Sequence, residues 1–125
     1  MRILEVHLEV NDIEKSLGLY SKLIPHKKIT RWKDCSAAAL VLDDGTAFGL
    51  WKAGKFGIHN GRGGKHVHFA FQINTDELEK YRKLLLACGL EPLDFDWPNG
   101  TKSIYFFDYD GHQGEFMTND WTAFS

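Results

Sequence analysis

The run Ile3-Leu4-Glu5-Val6-His7-Leu8-Glu9-Val10 alternates apolar and polar side chains without a break, and the same alternation returns from His66 to Ile73. A period of two means a strand with one buried face. In the first strand Leu4, Val6, Leu8 and Val10 share one side, and Glu5, His7 and Glu9 the other. In its echo Val67, Phe69, Phe71 and Ile73 oppose His66, His68, Ala70 and Gln72. The segment after each strand repeats as well. Asn11 offers a helix N-cap with Glu14 three residues on, and an offset of 63 separates this pair from Asn74 and Glu77.

Ile13, Leu17, Tyr20 and Ile24 give the first helix one apolar stripe, and Pro25 stops it. Leu78, Tyr81, Leu85 and Cys88 do the same for the second, which Gly89 ends. Three short strands then come after each helix. They are Lys28 to Trp32, Ser36 to Leu42 and Thr46 to Lys52 in the first half, and Glu91 to Trp97, Lys102 to Asp108 and Gln113 to Thr118 in the second. Asp43-Asp44-Gly45, Pro98-Asn99-Gly100 and Asp110-Gly111 make tight turns between them. The offset drifts to 65 between Trp32 and Trp97 and to 66 between Gly45 and Gly111, as unequal loops require. The prediction is one α+β domain built from two βαβββ repeats. Repeat one covers about 1–53, a Gly-rich connector 54–65, and repeat two about 66–120. The connector leads into a strand and not into a helix N-terminus, so it is no phosphate cradle.

A chain of 125 residues, 43% apolar and 26% charged, buries an ordinary globular core. Its formal charge of −2, with both signs interspersed, offers no basic stripe to nucleic acid. No segment is long and apolar enough to span a membrane or to direct export. Cys35 and Cys88 lack CxxC spacing, so a cytoplasmic location with reduced, non-functional thiols is expected.

Each helix must cover the apolar face of its own sheet. The opposite faces then carry Glu5, His7 and Glu9, with His66, His68 and Gln72, and finally Gln113, Glu115 and Met117. A solvated face is usually written in Lys, Glu, Thr and Ser. This one holds His, Glu and Gln, the donors a divalent metal prefers. On the repeat, Glu5 is the counterpart of His68, and Glu115 that of Gly49, which has no ligand to give. Three candidate ligands and one vacant place result, with His7 available to replace or supplement Glu5. Two glutamates converging to about 4 Å at an effective dielectric near 20 repel by roughly 4 kcal/mol. A cation shared with His68 relieves this most directly; a shared proton, or water and nearby cations, would be other means. Trp32, Trp51, Trp97 and Tyr105 are candidates to line a pocket for an aromatic or hydrophobic ligand, or to pack in the core.

Val6-His7-Leu8-Glu9-Val10-Asn11-Asp12 running into Ser16 and Tyr20, Val67-His68-Phe69-Ala70-Phe71, and above all Ser103 to Phe116 with its Asp108-Tyr109-Asp110-Gly111 turn, resemble the vicinal oxygen chelate superfamily. That superfamily includes glyoxalase I, fosfomycin-resistance enzymes, bleomycin-resistance proteins and extradiol dioxygenases. The resemblance implies curved mixed sheets around a cavity, with helices on the convex faces. It places a divalent metal (Mn, Fe, Ni, Zn or Mg) on Glu5, His68 and Glu115, with Glu9 or His7 moving a proton. Glu5 departs from the His or Gln common at its position, and so suits a harder ion or a site without metal. Two functions are therefore carried forward. One is a small-molecule metalloenzyme of the glyoxalase and fosfomycin-resistance type, a lyase or transferase. The other is a metal-free sequestering protein of the bleomycin-resistance type. Either implies a homodimer, with donors from one chain or two.

Overall fold

The computed structural model of the protein describes residues 1–54, 67–119 and 121. Two compact units divide the chain, Met1–Gly63 and Gly64–Ser125. The first contains β1 (Glu5–Val10), α1 (Ile13–Leu23), β2 (Lys28–Arg31), β3 (Ala37–Val41) and β4 (Ala47–Lys52). The second contains β5 (His68–Gln72), a 3₁₀ turn (Thr75–Glu77), α2 (Leu78–Ala87), β6 (Leu93–Asp96), β7 (Lys102–Phe107) and β8 (Gln113–Met117). Predicted strands and helices all appear, trimmed by a residue or two at their ends. His59, His66 and nearly all of the Gly-rich connector lie outside the described residues.

Both sheets have one plan. The order is β1-β4-β3-β2 in the first and β5-β8-β7-β6 in the second. In each, the opening strand runs parallel to the closing one, and the other pairs are antiparallel. A parallel pair needs a long crossover. Here the helix and two strands of each unit supply it.

The helix-facing sides hold the cores. In the first unit Ile13, Leu17, Tyr20 and Ile24 are buried as predicted, against Leu8, Val10, Leu40, Phe48 and Leu50. Phe48 packs on Tyr20 with ring centroids 4.8 Å apart. In the second, Tyr81 stacks on Phe116 at 4.4 Å, and Phe116 on Phe106 at 5.6 Å. Leu85 and Ile104 are fully enclosed there. Leu78 and Cys88, predicted for the buried stripe, are half-buried.

Leu4 and Val67, expected on the buried faces, are 60% and 75% exposed, and the cap of the first helix also differs from expectation. The first helix is capped by Asp12 and not by Asn11. Asp12 has an extended backbone and its carboxylate accepts the Lys15 N–H at 3.0 Å. Glu14 does not complete the cap, because Arg31 takes both its oxygens at 3.0 and 3.2 Å. In the second unit the expected reciprocal pair does form: the Asn74 N–H donates to Glu77 Oε1 at 3.0 Å.

Candidate functional site

The strand registers fix which side chains share the faces turned away from the helices. In the first unit three rows cross the sheet. Glu5 stands beside Ala47, Val41 and Lys28; His7 beside Gly49, Ala39 and Thr30; Glu9 beside Trp51 and Ala37. In the second unit His68 stands beside Gln113 and Phe107, Ala70 beside Glu115, Tyr105 and Leu93, and Gln72 beside Met117, Ser103 and Phe95. Glu5, His7 and Glu9 thus share one face, and His68 and Glu115 another, as the alternation predicts. The second face is more apolar than expected, since Phe95 and Phe107 are 47% and 51% exposed on it.

His68 and Glu115 meet. His68 Nε2 lies 3.4 Å from Glu115 Oε1. Glu115 is 3% exposed, so its carboxylate has almost no water to solvate it. Burial of that kind is costly unless the charge is paired and hydrogen-bonded. Ser103 donates its hydroxyl proton to Glu115 Oε2 at 2.5 Å, and the Trp97 indole N–H donates to Ser103 Oγ at 2.9 Å. The Tyr105 ring lies 6.3 Å from that of His68. Burial, and then the charge of Glu115, raise the Tyr105 phenol above its ordinary pKa.

Glu5 and His7 also meet, with His7 Nε2 3.2 Å from Glu5 Oε2. The Trp51 indole N–H donates to His7 Nδ1 at 2.5 Å. An indole nitrogen only donates, so Nδ1 accepts and the ring carries its proton on Nε2, facing Glu5. The imidazole lies over Gly49, where a Cβ would collide with it. The vacant place left by Gly49 is therefore filled by His7. Glu9 stands apart, four residues and about 13 Å along the strand from Glu5, and its Oε1 accepts the Gly54 N–H at 3.3 Å.

Among the described residues, neither unit by itself gathers three or more His, Cys, Asp or Glu side chains around one point. The pair in the second unit nonetheless fits a metal. With metal–nitrogen and metal–oxygen bonds of about 2.1 Å, two adjacent donors stand about 3.0 Å apart in an octahedral site and about 3.4 Å apart in a tetrahedral one, and His68 and Glu115, at 3.4 Å, lie within reach of either. Elsewhere Trp32 and Trp51 meet edge to face at 4.6 Å. A shallow hollow lined by Asp34, Cys35, Ser36, Lys52, Ala53 and Gly54 contains none of the predicted site residues. The His112 backbone N–H donates to Asp108 Oδ1 at 2.8 Å inside the Asp110-Gly111 turn.

Sequence reading missed the supporting partners. Ser103 alternates with Ile104 and Phe106, so period two alone assigns it to the face of Glu115. The direction of an indole N–H, in contrast, is a rotamer choice that no periodicity encodes.

Two βαβββ units, each with its helix on one sheet face and acidic and imidazole side chains on the other, define the glyoxalase-like class of fold. The chain is 34% identical over 122 residues to the metallothiol transferase FosB of Lysinibacillus sphaericus, a match spanning 87% of this chain and 76% of that protein. It belongs to the vicinal oxygen chelate superfamily. No family model matches it. Among solved structures it is similar to the fosfomycin resistance protein FosX of Listeria monocytogenes, in a form complexed with Mn(II) and 1S,2S-dihydroxypropylphosphonic acid. That likeness has a TM-score of 0.70 at 21% identity and covers 98% of this chain and 95% of that one. A glyoxalase/dioxygenase from Nostoc punctiforme gives a TM-score of 0.73 at 16% identity, covering 95% and 91%. These two likenesses concern the fold.

Proposed function

We propose that this protein is a metal-dependent enzyme acting on a small molecule, of the fosfomycin-resistance and glyoxalase type. The two repeats then make up a single domain, and His68 and Glu115 hold a divalent cation together with Glu5. The observation that carries the reading is the buried Glu115 carboxylate facing His68 at 3.4 Å. FosB is named a metallothiol transferase, and FosX binds Mn(II) and a phosphonate, which supports a transferase of oxygen-rich substrates.

When bound, such an ion acts as a Lewis acid on a substrate oxygen that develops negative charge. The chain's own residues do the rest. Glu115 and Glu5 supply hard, anionic donors suited to Mn(II), Fe(II) or Mg(II). The His7 Nε2 proton, held against Glu5, is the nearer group for moving a proton to or from substrate, and Glu9 the remoter one. Phe95 and Phe107 offer an apolar wall beside the donors. Glu5 belongs to the first unit and the other two donors to the second, and we assign Glu5 to a second copy of the chain in a homodimer.

A second reading rests on a different observation. Trp32 is 48% exposed beside Trp51 on the face of Glu5, His7 and Glu9. That aromatic pair suits metal-free sequestration of a flat or cationic ligand. Metal titration separates the two. The enzyme reading expects stoichiometric Mn(II) binding by protein purified without chelator, and a melting temperature that rises with Mn(II). At a hundredfold excess over Kd the stabilisation is about 2.7 kcal/mol. Unchanged melting with Mn(II), Ni(II) and Zn(II), in wild type and Glu115→Ala alike, would leave only sequestration.

A further inference from the structure

Glu115 does not choose its own orientation. An indole nitrogen can only donate, and a carboxylate can only accept. Between the two stands one hydroxyl, Ser103 Oγ, 2.9 Å from Trp97 Nε1 and 2.5 Å from Glu115 Oε2. That hydroxyl accepts from Trp97 and donates to Glu115, and the Tyr105 phenol also reaches Ser103 and Glu115. Ser103 and Glu115 are 1% and 3% exposed, so water competes little for the bond between them. The chain starts from the hairpin that joins β6 to β7. There the Trp97 backbone N–H donates to the Thr101 carbonyl at 2.8 Å, and Gly100 takes a φ of 87° to close the turn. That turn holds the indole against Ser103.

We infer that Trp97 and Ser103 are positioning residues for Glu115: by occupying Oε2 they hold Oε1 toward His68, ready for a divalent cation. This rests on the metal reading and adds to it two residues that touch neither metal nor substrate. Groups that orient a metal ligand contribute about 10–100-fold to affinity.

The test is a titration with Mn(II) alone, monitored by the electron paramagnetic resonance of the free ion. It compares wild type, Ser103→Ala, Ser103→Thr and Trp97→Phe, with the metal-free melting temperature of each. Ser103→Ala should weaken Mn(II) binding by about 10–100-fold. Trp97→Phe should weaken it severalfold, and Ser103→Thr, which keeps the hydroxyl, should restore most of the affinity. Wild-type affinity in both Ser103→Ala and Trp97→Phe would overturn the inference and leave the metal reading standing. Equal losses in Ser103→Thr and Ser103→Ala would also overturn it, by assigning the effect to packing. If the Ser103 variants do not fold, Trp97→Phe decides alone. Absence of binding by wild type of Mn(II), and of Ni(II) and Zn(II) in parallel titrations, would remove the metal reading itself, and this inference with it.

Discussion

Among the described glycines, Gly49 and Gly114 are the two where an added methyl group would come closest to neighbouring atoms. At Gly49 a Cβ would collide with the His7 imidazole. Gly49→Ala should push that ring off the sheet and break its bond from Trp51. The Trp51 indole N–H resonance should then shift, and an unshifted resonance would mean that the ring was never held over Gly49. At Gly114 a Cβ would collide with the Phe106 ring, which is fully enclosed. Overpacking of this kind costs about 1–3 kcal/mol, so Gly114→Ala should lower the denaturant midpoint accordingly. The tyrosines set the alkaline limit. Tyr81, Tyr105 and Tyr109 are all raised above their ordinary pKa, chiefly by burial. A raised folded pKa stabilises the fold below the unfolded value and loses that stabilisation as pH climbs through the folded one. Stability should hold to about pH 10 and fall above it, as denaturation at stepped pH would show.

At the scale of elements, alternation placed β1 and β5, helical stripes placed both helices, and the Gly-bearing turns bounded the other strands, of which β2 and β6 are exposed throughout and carry no alternation of burial. The cap was not legible. Asn11-Asp12 offers two capping residues in succession, and only the extended backbone at Asp12 chooses between them. Asp12→Ala should cost about 1 kcal/mol, and Asn11→Ala less; thermal melting of the two variants orders them. Ion pairs that join helix to outer strand were equally hidden. Arg31 of β2 reaches Glu14 of α1 at 3.0 Å, and Arg82 of α2 reaches Asp94 of β6 at 2.6 Å. The two units use the same tie with the charges exchanged, so no residue-by-residue match between the repeats could reveal it.

For the molecule as a whole, each repeat delivers its own acid–imidazole pair: Glu5 with His7 in the first, and Glu115 with His68 in the second. Period two fixes the face of each residue, which is why all four were legible. The partners that hold them, Trp51 on His7 and Trp97 through Ser103 on Glu115, depend on rotamers set by packing. Size-exclusion chromatography should give about twice the 14.3 kDa chain mass, as a second copy supplying Glu5 requires. Anomalous diffraction from a crystal soaked in Mn(II) tests whether Glu5, His68 and Glu115 share one ion. A peak about 2.0–2.3 Å from His68 Nε2, from Glu115 Oε1 and from the carboxylate of Glu5 is the predicted result. Mn(II) missing from His68 and Glu115, or bound there with Glu5 turned elsewhere, would contradict it.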